Sequence, residues 1–203
     1  MKETGQFWQN ETSGVSTLLQ REEVLFIFAD LHPGLVQQSK TISPESLAVN
    51  SGNLAKVAKM LSLPSLFLTV PQGNAGNELI DELRDFADQA TTFHRINADP
   101  FGVKPIREAI RSSGKKTLIV SGFSAEVAVL LTTLSALRHG YSVQIPVDSI
   151  GSRSSRTEEA VMRQAERAGA ILTSATSVVA QLSPDFSQEP GKSVLTVISG
   201  FRT

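Results

Sequence analysis

The chain has 203 residues, 40% hydrophobic and 19% charged, an ordinary globular composition that excludes wholesale disorder and predicts a sizeable core. Its 19 basic and 20 acidic side chains leave a formal charge of −1 with no block of like charge, so nucleic acid is not an expected partner. Cysteine is absent and histidine occurs only at 32, 94 and 139; this excludes disulfides and thiol nucleophiles, and neither a metal site nor another cofactor is expected.

Residues 1–21 are polar and aperiodic and contain the only tryptophan, Trp8; they read as an N-terminal arm, either frayed or docked on another subunit. Met1–Leu19 has no apolar segment of the secretory type. Val24–Ala29 is the longest apolar run, far short of the ~20 residues of a membrane helix. No membrane association is therefore expected, and a cytoplasmic protein is.

Val24–Ala29, ending at Asp30, has the pattern of a parallel strand buried on both faces. Ser43-Pro44-Glu45 is a helix start, with a hydroxyl cap and proline at the first helical position. Leu47, Leu54, Val57 and Leu61 continue it at helical spacing up to Pro64. A strand over 66–70 follows, then a helix over 79–86, a short strand over 91–96 and a helix over 105–111. Thr117–Val120 predicts a strand broken by Ser121-Gly122, and Glu126–Arg138 a long helix closed by Gly140. A strand over 143–147, a helix over 157–168, a strand over 170–172 and a helix over 177–182 complete the pattern. Residues 184–203 read as a linker, marked by Pro184 and Pro190, and an apolar tail at Val194–Ile198.

This alternation, without repeat or composition break, predicts one α/β domain over 22–183 with a mostly parallel sheet and right-handed crossovers. Ligands of such sheets bind beyond the carboxyl ends of the strands, where strand order reverses. The candidates for chemistry are therefore Asp30 and His32, the loop from Pro71 to Asn74, His94 to Asn97, Ser121 to Ala128, and Asp148 to Ser152.

Several motifs fail. The turn Ala29-Asp30-Leu31-His32-Pro33-Gly34 lacks a dinucleotide glycine pattern. Gly191-Lys192-Ser193 resembles the end of a phosphate loop, but Phe186 stands where its first glycine belongs. Gly122-Phe123-Ser124-Ala125-Glu126 approaches a serine-hydrolase elbow, yet no histidine follows His139 to complete a triad.

The string Leu118–Val129, continuing through Thr132, Ala136, Gly140-Tyr141-Ser142-Val143 and Asp148-Ser149, resembles the signature of the isochorismatase-like hydrolases. Ile27–Asp30, Leu63-Pro64 and Arg95-Ile96-Asn97-Ala98 extend the likeness, which runs from Glu22 to Leu182 and is greatest to the YcaC-type branch. The resemblance implies a three-layer α/β sandwich of Rossmann-like topology with a six-stranded parallel sheet. It also implies a catalytic aspartate at Asp30, a basic partner at Arg95 and a nucleophile position at Ala128. A cis peptide is implied at Phe123–Ser124. In family members with a cysteine there, the helix start activates the thiol while the aspartate carries its proton.

Alanine at 128 closes the covalent thioester route. Three explanations stay open: an inactive family member that binds a metabolite or is structural, an enzyme using the cleft without a thiol, and a laboratory cysteine-to-alanine substitution. In the second case the precedent is vinyl-ether hydrolysis by isochorismatases, with the aspartate as general acid. Burial would raise the Asp30 pKa and Arg95 would lower it. Phe123, Ser124, Asn97 and His32 are the candidate binding residues, while the first-turn acid Glu126 suits the helix dipole. The Asp-x-His metal site of the nicotinamidase branch lacks its downstream histidine. The expected partners are a small amide, ester or vinyl ether and other copies of the chain in a homo-oligomer.

Overall fold

The computed structural model describes residues 18–72, 76 and 78–202. Trp8 and part of the Pro71–Asn77 loop, Asn74 included, lie outside them.

Strand β1 (Val24–Ala29) is buried along its whole length and sits between β2 (Ser65–Thr69) and β4 (Thr117–Phe123), parallel to both. Beyond β2 lies β3 (Thr92–His94); beyond β4 lie β5 (Ser142–Pro146) and then β7 (Ile171–Thr173), all parallel. The order is β3-β2-β1-β4-β5-β7, with the two-residue β6 (Ile150–Gly151) pairing the end of β4 as a seventh strand. Its brevity explains why no apolar run announces it.

Successive side chains of a strand point to opposite faces, and β1 divides accordingly. Val24, Phe26 and Phe28 pack on one face with α2 (Pro44–Met60), α7 (Ala175–Leu182) and α8 (Gly191–Ile198). Phe28 stacks on Phe67 at 5.1 Å between ring centroids. Leu25, Ile27 and Ala29 join the other core, against α4 (Lys104–Ser112), α5 (Leu130–Arg138) and α6 (Ser155–Arg167). Two cores, one on each face, make the sandwich of three layers.

The helix start at Ser43 is as expected: its hydroxyl accepts from Ser46 N at 3.0 Å, with Pro44 at the first helical position. Elsewhere the elements differ from the pattern. The helix expected over 79–86 is a single turn, α3 (Asp81–Arg84), because Leu79 and Ile80 are drawn into the core as extended chain. Another single turn, α1 (Pro33–Val36), follows Asp30.

The apolar tail is the helix α8. Val194 and Val197 enter the core beside α7 and α2. Asn50, fully buried in α2, exchanges hydrogen bonds with the backbone N–H and C=O of Arg202, each 2.8 Å. A Cβ on Gly191 would lie 1.8 Å from the Asp185 carbonyl oxygen, so only glycine allows the chain to start α8 there. Among the described residues no helix is long and apolar enough to cross a membrane.

Candidate active site

After β1 the chain runs outward through β2 and β3, then returns to place β4 on the other side of β1. The carboxyl ends of β1 and β4 are thus the reversal point. Ala29 pairs with Gly122, which sets Asp30 beside Phe123. The two backbones approach so closely that a Cβ on Gly122 would lie 2.3 Å from the Ala29 carbonyl oxygen.

Asp30 takes the left-handed backbone conformation (φ 58°), rare and strained for a residue with a Cβ. Its N–H donates to the Leu68 carbonyl at 2.8 Å. Arg95, just past β3, lies across the end of β2 and donates from Nη2 to Asp30 Oδ2 at 2.7 Å. Both side chains are almost wholly buried, 1% and 6% exposed. Arg95 Nη1 also donates to the Asn97 carbonyl. Asp30 Oδ1 and Arg95 Nε are buried with no hydrogen-bond partner among the described residues. Burial pushes the Asp30 carboxyl up from 3.8 to about 6; the charge and hydrogen bond of Arg95 pull it down and lose. Burial also lowers the Arg95 pKa, against the opposing pull of Asp30 and Asp99.

The peptide Phe123–Ser124 is cis. Ser124 then leads into a single π-helical turn, Ala125–Val129, that continues into α5. Such π turns are frequent at functional sites. Ala128 in this turn is fully buried and packs in the apolar core with Ala125 and Val129. Its carbonyl accepts from Thr132 Oγ1 at 2.6 Å.

A cleft with an empty volume of about 550 Å³, part of it open to solvent, lies over these strand ends. Its polar walls are Asp30, Gln72, Arg95, Ser124 and Arg153. Val70, Phe123, Val127 and Ile96 are prominent among its apolar walls, and Ile96 at the rim is 90% exposed. Of the sequence candidates, Asp30, Arg95, Phe123 and Ser124 therefore meet in one cleft.

Three candidates stand off its walls. Ala128 is buried in the core and does not line the cleft. His32 caps α1, its Nδ1 accepting from Gly34 N at 3.0 Å, which leaves the proton on the buried and unpartnered Nε2. Asn97 is a turn former, its Oδ1 accepting from Asp99 N at 2.9 Å. Glu126 ties the π turn to the loop after β6 and to α6, accepting from Ser152 and Thr157. Burial raises its pKa, but these hydrogen bonds outweigh burial and hold it below the ordinary value. Arg153 escaped the sequence reading by one residue, because a strand as short as β6 gives no pattern by which to place its end. Among the described residues no three His, Asp or Glu side chains gather as metal ligands.

A model of the isochorismatase domain matches residues 55–177, from α2 through α7. The chain belongs to the isochorismatase family. It is 26% identical over 169 residues to the probable hydrolase YcaC of Escherichia coli, covering 83% of this chain and 81% of that one. The structure of YcaC from Pseudomonas aeruginosa with hexane-2,5-diol and covalent acrylamide superposes with a TM-score of 0.85 at 28% identity, covering 93% and 94% of the two chains. The E. coli YcaC structure, described as an octameric hydrolase of unknown specificity, also scores 0.85, at 26% identity and 93% and 92% coverage. The sequence resemblance and the fold therefore agree on an isochorismatase-family, hydrolase-like protein.

Proposed function

We propose that the cleft hydrolyses a small molecule by general-acid catalysis from Asp30, with no covalent intermediate. The carrying observation is the Asp30 carboxyl in the cleft wall: one oxygen held by Arg95, the other buried without a hydrogen-bond partner among the described residues, and a pKa near 6. With that value about one carboxyl in ten is protonated at pH 7, enough to serve as an acid. A vinyl ether fits this chemistry. Asp30 passes its proton to the terminal vinyl carbon, and the resulting oxocarbenium takes the oxygen of a water molecule. That water's proton goes to Asp30, and the hemiketal collapses to a ketone and an alcohol, so one water is consumed. Arg95 holds the carboxylate form between the two proton transfers. Acrylamide bound covalently to YcaC of P. aeruginosa needs a nucleophile, and this chain has no thiol to supply one.

A second reading, a cleft that binds a metabolite without turnover, is favoured by Ala128: at the position the resemblance gives to the nucleophile stands a methyl group sealed in the core. Assays with isochorismate and a panel of small amides and esters separate the two. Turnover that disappears in Asp30→Asn supports the acid; saturable binding with no turnover on any substrate supports the binder. The homo-oligomer carries over from the E. coli neighbour, with exposed Ile96, Val147 and Leu195 as apolar contact candidates. Light scattering at the monomer mass would refute it.

A further inference from the structure

Two cations line the cleft, and their situations differ. Arg95 is neutralised by Asp30 at 2.7 Å. Arg153 has no carboxylate partner among the described residues, although the chain carries 20 acidic side chains. Arg153 is nevertheless held in place. Its Nε and Nη2 both donate to Gln38 Oε1, at 3.0 and 2.8 Å. Gln38 is itself anchored through Nε2 to the Gly34 carbonyl at 2.9 Å. The guanidinium lies over the Phe123 ring, 5.7 Å from its centroid, a distance at which a cation is attracted to an aromatic face. Its backbone follows Ser152, which is fully buried and bonded to Glu126 and, through its N–H, to Thr41 Oγ1 at 2.9 Å.

An ordinary surface arginine loses several rotors when it grips a ligand. Here Gln38 and the Phe123 ring hold the guanidinium before any ligand arrives, and Nη1 makes no hydrogen bond among the described residues. A planar guanidinium fixed at the rim of an apolar cleft matches the two oxygens of a carboxylate. Gln38 contributes only a neutral acceptor to Arg153, so among the described residues no ion pair cancels its charge.

We infer that the ligand of this cleft is a small organic anion, a carboxylate, whose charged end is bound by Arg153 on the Gln38–Phe123 shelf while its uncharged part reaches toward Asp30. This deepens the function proposed above and rests on it, since it takes the cleft as the substrate site.

Benzoate and benzamide, alike in size and different in charge, test it by NMR titration of the methyl groups of Ile96 and Val127 at pH 7. Benzoate is expected to bind at least tenfold more tightly than benzamide. Arg153→Gln should bring the two within twofold, and Arg153→Lys should restore part of the preference. Arg153 is exposed, so these variants should keep the fold. Equal affinity for the two compounds, no saturable benzoate shift at either methyl, or an unchanged preference in Arg153→Gln overturns the assignment. The acid is read separately: carbon-13 titration of the Asp30 carboxyl reports the proton donor whatever benzoate does. An Asp30 midpoint near 6 without an anion preference sinks this inference alone; a preference with an ordinary midpoint sinks only the proton donor.

Discussion

Arg95 grips one oxygen of the Asp30 carboxyl at 2.7 Å and leaves the other bare in a buried site. A single hydrogen-bonded cation normally depresses a carboxylate pKa, yet here burial outweighs it and the value rises to about 6. Asp30 is thus both anchored and able to hold a proton near neutrality.

A raised carboxyl pKa has a defined sign for stability. The folded chain holds the Asp30 proton more tightly than the unfolded chain does, so the associated stability is full below the ordinary 3.8 and is lost as pH rises through about 6. The loss is about 3 kcal/mol in order of magnitude. Urea unfolding of the wild type should weaken across this window relative to Asp30→Asn, which has no proton to lose. In the enzymatic reading kcat/KM falls above pH 6 with the same group. A carbon-13 titration midpoint near 4 would contradict both.

Removing either partner of the buried pair should have unequal effects. Asp30→Ala leaves the Arg95 charge buried without a counter-ion, an arrangement that typically costs about 3–5 kcal/mol. Arg95→Met leaves a carboxyl that escapes the penalty by staying protonated, and without the cation its pKa rises further. At pH 5, denaturant midpoints should therefore order as wild type, Arg95→Met, Asp30→Ala from most to least stable. The reverse order of the two variants would show that the pair is not desolvated as described.

Gly122→Ala should destabilise the site from the backbone. The added methyl would sit 2.3 Å from the Ala29 carbonyl, and overpacking of this kind costs about 1–3 kcal/mol. Because the strain falls one residue before Asp30, the Asp30 titration midpoint should shift together with the unfolding midpoint. An unfolding curve superimposable on the wild type would mean that β1 and β4 part without cost.

Ala128→Cys tests the position that the family resemblance assigns to the nucleophile. The parent chain has no cysteine and should not react with acrylamide as a thiol protein does. Residue 128 is fully buried in the apolar core and off the cleft walls, and such burial raises a thiol pKa above the ordinary value of about 8.5, against the pull of the helix start. Mass spectrometry at pH 6 should then show alkylation slower than that of free cysteine. A faster reaction would show that the side chain at 128 reaches the cleft and that the helix start governs it.

Much of the fold was readable from local pattern. The doubly buried strand Val24–Ala29 and the capped helix at Ser43-Pro44 are written in consecutive residues, since burial on both faces demands an unbroken apolar run and a cap needs its hydroxyl at one place. Asp30 was legible for the same reason: it ends that run. Other features depend on residues far apart in the chain. Leu79 and Ile80 have the pattern of a helix but enter the core as extended chain, the apolar tail is a helix whose Val194 and Val197 pack into the core, and β6 is too short to leave a trace.

Composition excluded thiol chemistry outright, because no folding can supply a missing thiol, and the order of apolar segments dictated a parallel α/β sheet. Distance and solvation were decided by the tertiary arrangement. Asp30 and Arg95 carry opposite influences on one proton, and only their placement at the end of a buried strand lets desolvation win. Likewise Arg153 is one charged residue among many until Gln38, Phe123 and the β4 edge converge to hold it over the cleft.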